Sequence, residues 1–359
     1  MNACNTDEER NKILQFVQNE ILGVFKYNVT CSYYREIKTY LKTFIDFTSL
    51  IHDKKIFTEG FIMELYNILN SIVKNVKEKA EQILSITEAN GDCYDENDED
   101  DQKADIERLN EINRRVMELS GNIFKVIGDD LTPVIKSSLF DFFLQTWRDS
   151  LAKLDSDKLK TIYYQPILSA ICFFDDFLEF SKENELLQFI DTFIELSKKS
   201  QNINEDILQS VVYGYGAICQ RVSKEIFTAK YKETILAMII NIIQRPKNDA
   251  NEETFDNALG AMGKFIYFQC DNNAAGVTMA SQFIKLLPLR GDLDEGKKVC
   301  HLLFEKINES HPLLVNDTNT PLLKDAIQRI IILNKSSNFL EEEIENLIMV
   351  ALTLGIKFE

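Results

Sequence analysis

The chain has 359 residues, and its 57 acidic side chains against 40 lysines and arginines give a formal net charge of -17. This charge opposes the approach of nucleic-acid phosphates and anionic membranes, and it favours basic partners. Only 6 Pro and 13 Gly interrupt the sequence, far fewer turn residues than a β-rich protein of this length needs. The composition therefore predicts long helices with short connections.

The N-terminal region, residues 1–90, is predicted to form helices after a polar and acidic beginning. The segment from Met1 to Arg10 has none of the features of a signal peptide. No apolar run in the chain approaches the ~18 residues that a membrane span requires. The seven cysteines are scattered without any CxxC pair, which is typical of a reducing compartment, cytosol or nucleus.

An abrupt change of composition follows, because the segment from Glu88 to Asp105 contains nine acids and one basic residue, Lys103. Self-repulsion and the lack of apolar side chains predict a solvated acidic loop over residues 91–105, from Gly91 to Asp105. Such a loop serves solubility alone, or it acts as a flap that captures or competes for a basic ligand. The sequence leaves both alternatives open.

After the loop, apolar stripes with a helical period recur along residues 106–359. Equivalent positions fall at Ile171, Val211, Ala258, Val299 and Leu347, at spacings of about 40 to 48 residues. This spacing is typical of HEAT and armadillo repeats. We therefore predict an all-α fold, an α-α superhelix in which residues 1–90 and 106–359 belong to one continuous solenoid.

Four glycines lie inside predicted helices, where each costs about 1 kcal/mol relative to alanine. They are Gly214, Gly216, Gly260 and Gly263. A phosphate-binding loop would need a strand before the glycines, and none is predicted there. We expect these glycines to permit close packing between helices.

The residues with chemical potential do not form a catalytic motif. The three histidines have no cysteine or carboxylate at metal-ligand spacing, and no nucleophile elbow, P-loop or dinucleotide fingerprint is present. Trp147 lies in an aromatic run typical of a core. We therefore expect neither an enzyme nor a cofactor or metal.

The most conspicuous charged cluster on a predicted helix is Asp175, Asp176 and Glu179. Asp175 and Glu179 share a helix face, where like charges weaken the helix slightly. Either the nearby Lys182 or a basic partner would offset this repulsion.

Four stretches together resemble the importin-β family of nuclear transport receptors, and specifically its C-terminal part. In chain order they are Ile167–Glu179, Gln209–Gly216, Asp256–Lys264 and Phe283–Asp294. The acidic segment also lies where part of that family has an acidic insertion. The resemblance covers the chain from about residue 92 onward.

The resemblance implies a receptor that shuttles between cytoplasm and nucleus. It would bind basic cargo, phenylalanine-glycine nucleoporins and Ran-GTP, with the main Ran site in N-terminal repeats that we expect to be absent from this chain. It implies no direct binding to nucleic acid or membrane. We expect five acids to face the concave side and to bind basic cargo: Asp175, Asp176, Glu179, Asp256 and Glu295.

An alternative function of a different class is a helical-repeat scaffold for a multiprotein complex unrelated to transport, because the fold alone does not fix the function. A helical-repeat RNA binder conflicts with the net charge of -17.

Overall fold

A computed structural model describes residues 8, 12, 15–31, 33–50, 57–90, 96–128, 139–154 and 160–356. Within these ranges every regular element is helical, which confirms the predicted all-α class. The chain divides into two compact units, residues 1–200 and 201–359.

In the first unit a π-helical segment, Val17–Leu22, leads into the first α-helix. The α-helices of this unit are α1 (Gly23–Thr30), α2 (Tyr34–Leu50), α3 (Glu59–Asn90), α4 (Glu96–Ile127), α5 (Phe140–Lys153), α6 (Lys160–Phe180), α7 (Glu183–Leu187) and α8 (Ile190–Ser200). Helices α2, α4 and α6 pack side by side in one layer. Helices α1, α3, α5 and α8 lie against them and form the other layer.

The second unit repeats this arrangement. Its helices are α9 (Glu205–Arg221), α10 (Lys224–Lys230), α11 (Lys232–Ile243), α12 (Glu252–Phe268), α13 (Ala274–Leu286), α14 (Leu293–Asn308), α15 (Thr320–Ser337) and α16 (Ile344–Thr353). Helices α9, α12, α14 and α16 pack in one layer, while α13 and α15 pack in the other. This two-layer stacking is that of a helical-repeat solenoid.

Neighbouring helices of one layer in the second unit run parallel, as successive repeats require. Thr254 Oγ1 donates to the carbonyl of Glu205 at the beginning of α9, at 3.3 Å. Gln269 Nε2 donates to the carbonyl of Val222 after the end of α9, at 2.8 Å. Both pairs are separated by about 48 residues, so the repeat spacing predicted from Val211 and Ala258 is confirmed.

The predicted acidic loop over residues 91–105 is wrong for residues 96–105, because α4 begins at Glu96. Residues 91–95 lie outside the described residues. Acidic side chains are favourable in the first turns of a helix, where the helix dipole presents partial positive charge, and this outweighs their mutual repulsion. Helices α3 and α4, on either side of the segment, pack together within the first unit.

Trp147 on α5 anchors the aromatic core of the first unit, as its sequence context predicts. The side chain is fully buried, and its indole N–H donates to Ser200 Oγ at 2.9 Å. The ring stacks on Phe174 of α6 and meets Phe193 of α8 edge to face. A buried aromatic side chain of this size stabilises a fold by several kcal/mol, so this cluster holds α5, α6 and α8 together.

Three of the four helical glycines permit the close helix packing that the sequence predicts. A Cβ on Gly216 of α9 would lie 3.1 Å from Ala261 Cα of α12. A Cβ on Gly263 would lie 3.0 Å from the Phe283 ring, and one on Gly260 would overlap the carboxylate of Glu295. The missing side chains therefore let α9, α13 and α14 approach α12.

Candidate functional site

Three of the four stretches that carry the resemblance meet on one face of the second unit. Gln209–Gly216 lies on α9 and Asp256–Lys264 on α12, while Phe283–Asp294 runs from α13 into the first turn of α14. Helix α12 is buried from Asp256 to Tyr267, and we call the side of this layer on which residues of α9 and α14 flank it the α12 face. It is the candidate site, because charged and aromatic side chains from three repeats converge there.

Asp256 lies beneath the connection between α13 and α14 and is 1% exposed. Its Oδ2 accepts hydrogen bonds from the main-chain nitrogens of Arg290 and Gly291, at 2.8 and 2.7 Å. Its Oδ1 lies 3.2 Å from the ammonium of Lys247. The carboxylate is therefore fully used inside the protein, where it fixes the loop that begins the next repeat.

Asp292 caps the N-terminus of α14 and connects it to its neighbours. Its Oδ1 accepts from the main-chain nitrogen of Glu295 at 2.9 Å, which satisfies an otherwise unpaired donor of the first turn. Its Oδ2 accepts from Asn257 Nδ2 of α12 at 2.9 Å. Gln209 of α9 donates to the same oxygen at 3.4 Å. One side chain thus links three consecutive helices of the layer.

Glu295 follows in the first turn of α14 and is 3% exposed. Its carboxylate lies against Gly260 of α12, where any side chain at position 260 would collide with it. This explains why a glycine stands in the middle of α12. It also means that Glu295 contacts its own protein rather than solvent.

Tyr213, Lys264 and Lys298 occupy the middle of the α12 face. The ammonium of Lys264 on α12 lies 4.8 Å from the centre of the Tyr213 ring on α9. The ammonium of Lys298 on α14 lies 4.6 Å from the same centre and donates to the tyrosine oxygen at 2.6 Å. Two cations from successive repeats thus flank one aromatic ring.

The other three nominated acids lie on α6 in the first unit. Asp175 is buried at 5% exposure, whereas Asp176 and Glu179 are half-buried. The carboxylate of Asp176 lies against Gly121 of α4, as that of Glu295 lies against Gly260. In both units, therefore, an acid of one helix lies over a glycine of the preceding helix in the layer.

The expectation that five acids would be exposed for basic cargo is wrong for three of them. Asp175, Asp256 and Glu295 are buried, so a protein partner has no access to their carboxylates. Asp176 and Glu179 keep partial exposure. An acidic residue on an amphipathic helix normally faces water, and no local pattern predicts that Gly260 makes room for Glu295 or that main-chain amides bind Asp256.

Exposed acids do lie along one edge of the α12 face, at the beginnings of its three helices. Asp206, Glu253 and Asp294 each occupy the first turn of α9, α12 and α14, and each is exposed. Because α9 and α12 run parallel, these positions recur once per repeat. We call these three residues the acidic edge.

The sequence did not identify Lys264 and Tyr213 as candidates, although both lie in stretches that carry the resemblance. One signal was present. Lys264 is the only charged residue between Ala258 and Phe268, a segment that is otherwise almost entirely small or apolar. A charge in such a segment indicates either a buried ion pair or a binding residue.

Chemically reactive groups do not converge elsewhere in the described part of the chain. No group of three or more histidines, cysteines or carboxylates there could hold a metal ion. His301 lies between Glu343 and Glu305, at 2.7 and 3.5 Å, and is half exposed. Burial raises the pKa of the Cys300 thiol to about 12, which leaves it protonated and a poor nucleophile.

An open groove of about 600 Å³ lies between α1 and α3 in the first unit. Its charged lining residues are Lys26 and Glu64, one of each sign, and its lining includes no histidine or cysteine. The hydroxyl of Ser71 donates to its own helix backbone at 2.9 Å. The groove therefore offers no nucleophile with a neighbouring base.

Among the helices that the structure describes, none is both long and apolar enough to cross a membrane. A comparison with known proteins found no family model and no curated protein that matches this chain.

Proposed function

We propose that this chain is a non-enzymatic protein-binding solenoid and, in its specific form, a nuclear transport receptor fragment of the importin-β type. In this form it binds basic cargo and phenylalanine-glycine nucleoporins, and it works with Ran-GTP in shuttling between cytoplasm and nucleus. The observation that carries the proposal is the parallel stacking of α9 and α12, about 48 residues apart. Stacked repeats of this kind present long surfaces suited to protein partners.

The specific form is supported by the positions of the four resembling stretches. The first three lie on α6, α9 and α12, and the fourth runs from the end of α13 into the first turn of α14. The net charge of -17 favours basic partners through long-range attraction. The acidic edge, with one exposed acid per repeat, is a better candidate for their contact than the buried acids.

The alternative, a scaffold of a complex unrelated to transport, uses the same fold and the same kind of surface. Binding to nucleoporin repeats separates the two, because a scaffold has no reason to recognise phenylalanine-glycine peptides. Binding to Ran-GTP separates them less sharply, since the family's main Ran site lies in N-terminal repeats.

The test of basic-cargo binding is fluorescence anisotropy of a labelled Lys-rich peptide, titrated with the chain at low and physiological salt. We expect micromolar binding that weakens at least about tenfold in the variant Asp206→Asn, Glu253→Gln and Asp294→Asn. The matched control removes three exposed acids outside the α12 face, through Glu225→Gln, Glu233→Gln and Asp249→Asn. An equal loss of affinity in both variants would show that the peptide responds only to net charge, and would contradict a defined site.

The test of the transport function is binding of the chain to a phenylalanine-glycine repeat peptide, with a serine-glycine peptide as control. Binding that requires the phenylalanines supports a transport receptor. Its absence, together with no binding to the Lys-rich peptide, would overturn the transport proposal in favour of the scaffold.

A further inference from the structure

In the second unit, one side of α12 is covered by the helices that follow it in the chain. The Glu295 carboxylate of α14 lies against Gly260, and a Cβ on Gly263 would lie 3.0 Å from the Phe283 ring of α13. Gly260 and Gly263 are one turn apart, so they share this side of the helix. Two later helices therefore close this side of α12 to solvent.

The same side of α14 is covered in the same way. One repeat later, about 41 residues along the chain, His301 and Phe304 take the positions of Gly260 and Gly263. Nδ1 of His301 lies 2.7 Å from a carboxylate oxygen of Glu343, which directly precedes α16. Phe304 is buried, with 1% of its surface exposed. The register between the two repeats therefore holds for contacts as well as for sequence spacing.

On α16 the corresponding side is apolar and exposed. A further repeat, about 48 residues along the chain, places Met349 and Leu352 at the positions of His301 and Phe304. Helices α14 and α15 pack against α16, and they leave Met349 59% and Leu352 61% exposed. Ile348, one turn before Leu352, is half-buried. We call Ile348, Met349 and Leu352 the α16 face, and grouped exposed apolar residues of this kind mark interaction sites.

The charges around the α16 face favour a basic partner over a second copy of this chain. Glu345 is exposed one turn before Met349 and lies on the same side of the helix. Glu341, just before α16, is also exposed. Two copies joined through this face would each bring these acids and a net charge of -17, so repulsion opposes self-association. A basic side chain of another protein would instead be attracted to Glu345.

We propose that the α16 face binds an amphipathic helix of a partner protein, which lies along α16 as later helices lie along α12 and α14. Its apolar stripe covers Met349 and Leu352, and a basic side chain on its flank lies near Glu345. This contact continues the packing between repeats that the second unit already contains. It goes beyond the proposed function, since it serves a transport receptor and a scaffold equally. It also differs from the acidic edge, because burial of apolar surface supplies most of its affinity.

The experiment is fluorescence anisotropy of a labelled Leu–Lys peptide of about four helical turns, titrated with the full chain at physiological salt. Its leucines recur at helical spacing, and the control peptide has the same composition with leucine and lysine in strict alternation. Leu352→Gln is expected to weaken binding about tenfold and Met349→Gln about threefold, because each removes apolar surface from the contact. Ile332→Gln is the matched control, since Ile332 of α15 is 68% exposed outside the α16 face. It is expected to change binding by about twofold or less.

Equal weakening by Ile332→Gln and Leu352→Gln would overturn the site, and so would equal binding of the two peptides. The acidic-edge variant Asp206→Asn, Glu253→Gln and Asp294→Asn is expected to keep most of the affinity, and a loss as large as that of Leu352→Gln would contradict a separate site. Sedimentation velocity tests the second copy: a dimer that Leu352→Gln dissociates would contradict a partner helix. Thermal unfolding verifies that each variant is folded.

Discussion

The main-chain nitrogen of Gly291 donates a hydrogen bond to the carboxylate of Asp256 at 2.7 Å, across the boundary between two repeats. The nitrogen of Arg290 donates to the same oxygen at 2.8 Å. A buried carboxylate thus organises the loop from which α14 begins. Asp256, one of the five acids expected to bind basic cargo, is therefore a structural element of the solenoid.

Replacement of Asp256 by alanine should therefore destabilise the second unit. Three main-chain amides, those of Arg290, Gly291 and Asp292, lose a charged acceptor, and Lys247 keeps only Glu252 as a partner. We therefore expect a cost of about 2 to 4 kcal/mol in the free energy of unfolding. Urea unfolding followed by circular dichroism measures it. Asp294→Ala is the control, because its side chain is 91% exposed and should cost less than about 0.5 kcal/mol. Equal effects of the two changes would contradict the structural role of Asp256.

The glycines of the α12 face provide a second prediction about packing. Gly260→Ala places a methyl group against the Glu295 carboxylate, and we expect it to cost about 1 to 3 kcal/mol. Gly296→Ala on α14 is the matched control, since its nearest neighbour would lie at an ordinary 3.7 Å. There the better helix propensity of alanine should stabilise the protein by about 0.5 to 1 kcal/mol. Thermal unfolding should show that Gly260→Ala lowers the stability and that Gly296→Ala raises it. A stabilising Gly260→Ala would contradict the close approach of α14 to α12.

The fold was predictable because apolar periodicity and repeat spacing are both properties of the sequence. Val211, Ala258 and Leu347 were placed on equivalent helices by their spacing, and all three are buried in one layer. Residues 96–105 are helical although their acid-rich composition predicts a loop. That prediction considered the repulsion between the acids and left out their attraction to the partial positive charge at a helix N-terminus.

The site was less predictable, because burial of a polar group depends on what lies opposite. Glu295 and Asp256 resemble solvated acids in sequence, yet Gly260 makes room for one and the main chain of Arg290 binds the other. Tyr213 and Lys298 are 85 residues apart, so no local pattern indicates that they touch. Predicting contacts between repeats depends on the register of the stacked helices, and the repeat spacing determines that register only approximately.

Gln269 gives a third prediction, about the end of α9. Its side chain is 1% exposed, and Nε2 donates to the carbonyls of Cys219 and Val222 at 2.6 and 2.8 Å. Carbonyls at a helix end have no partner within the helix, so this amide satisfies them. Gln269→Leu should cost about 2 to 4 kcal/mol in the free energy of unfolding. Gln282→Leu, at an exposed position of α13, should be nearly neutral, and a similar loss there would show that leucine itself is harmful.

The last prediction concerns pH, through His311. Burial lowers the pKa of this imidazole, and the positive charge of Lys306 lowers it further. The carbonyl of Tyr267, 3.3 Å from the ring nitrogen Nε2, and the carboxylate of Glu309 raise the pKa without cancelling the effect of burial. The unfolded chain therefore takes up this proton first, near pH 6.5, and the stability falls as the pH drops from about 7 through 6.5 toward the lower native pKa. His311→Gln should flatten this part of the pH profile in urea unfolding between pH 7.5 and 5.5. His301→Gln, at an exposed position, provides the comparison, and a slope that persists in His311→Gln would assign the pH dependence to other groups.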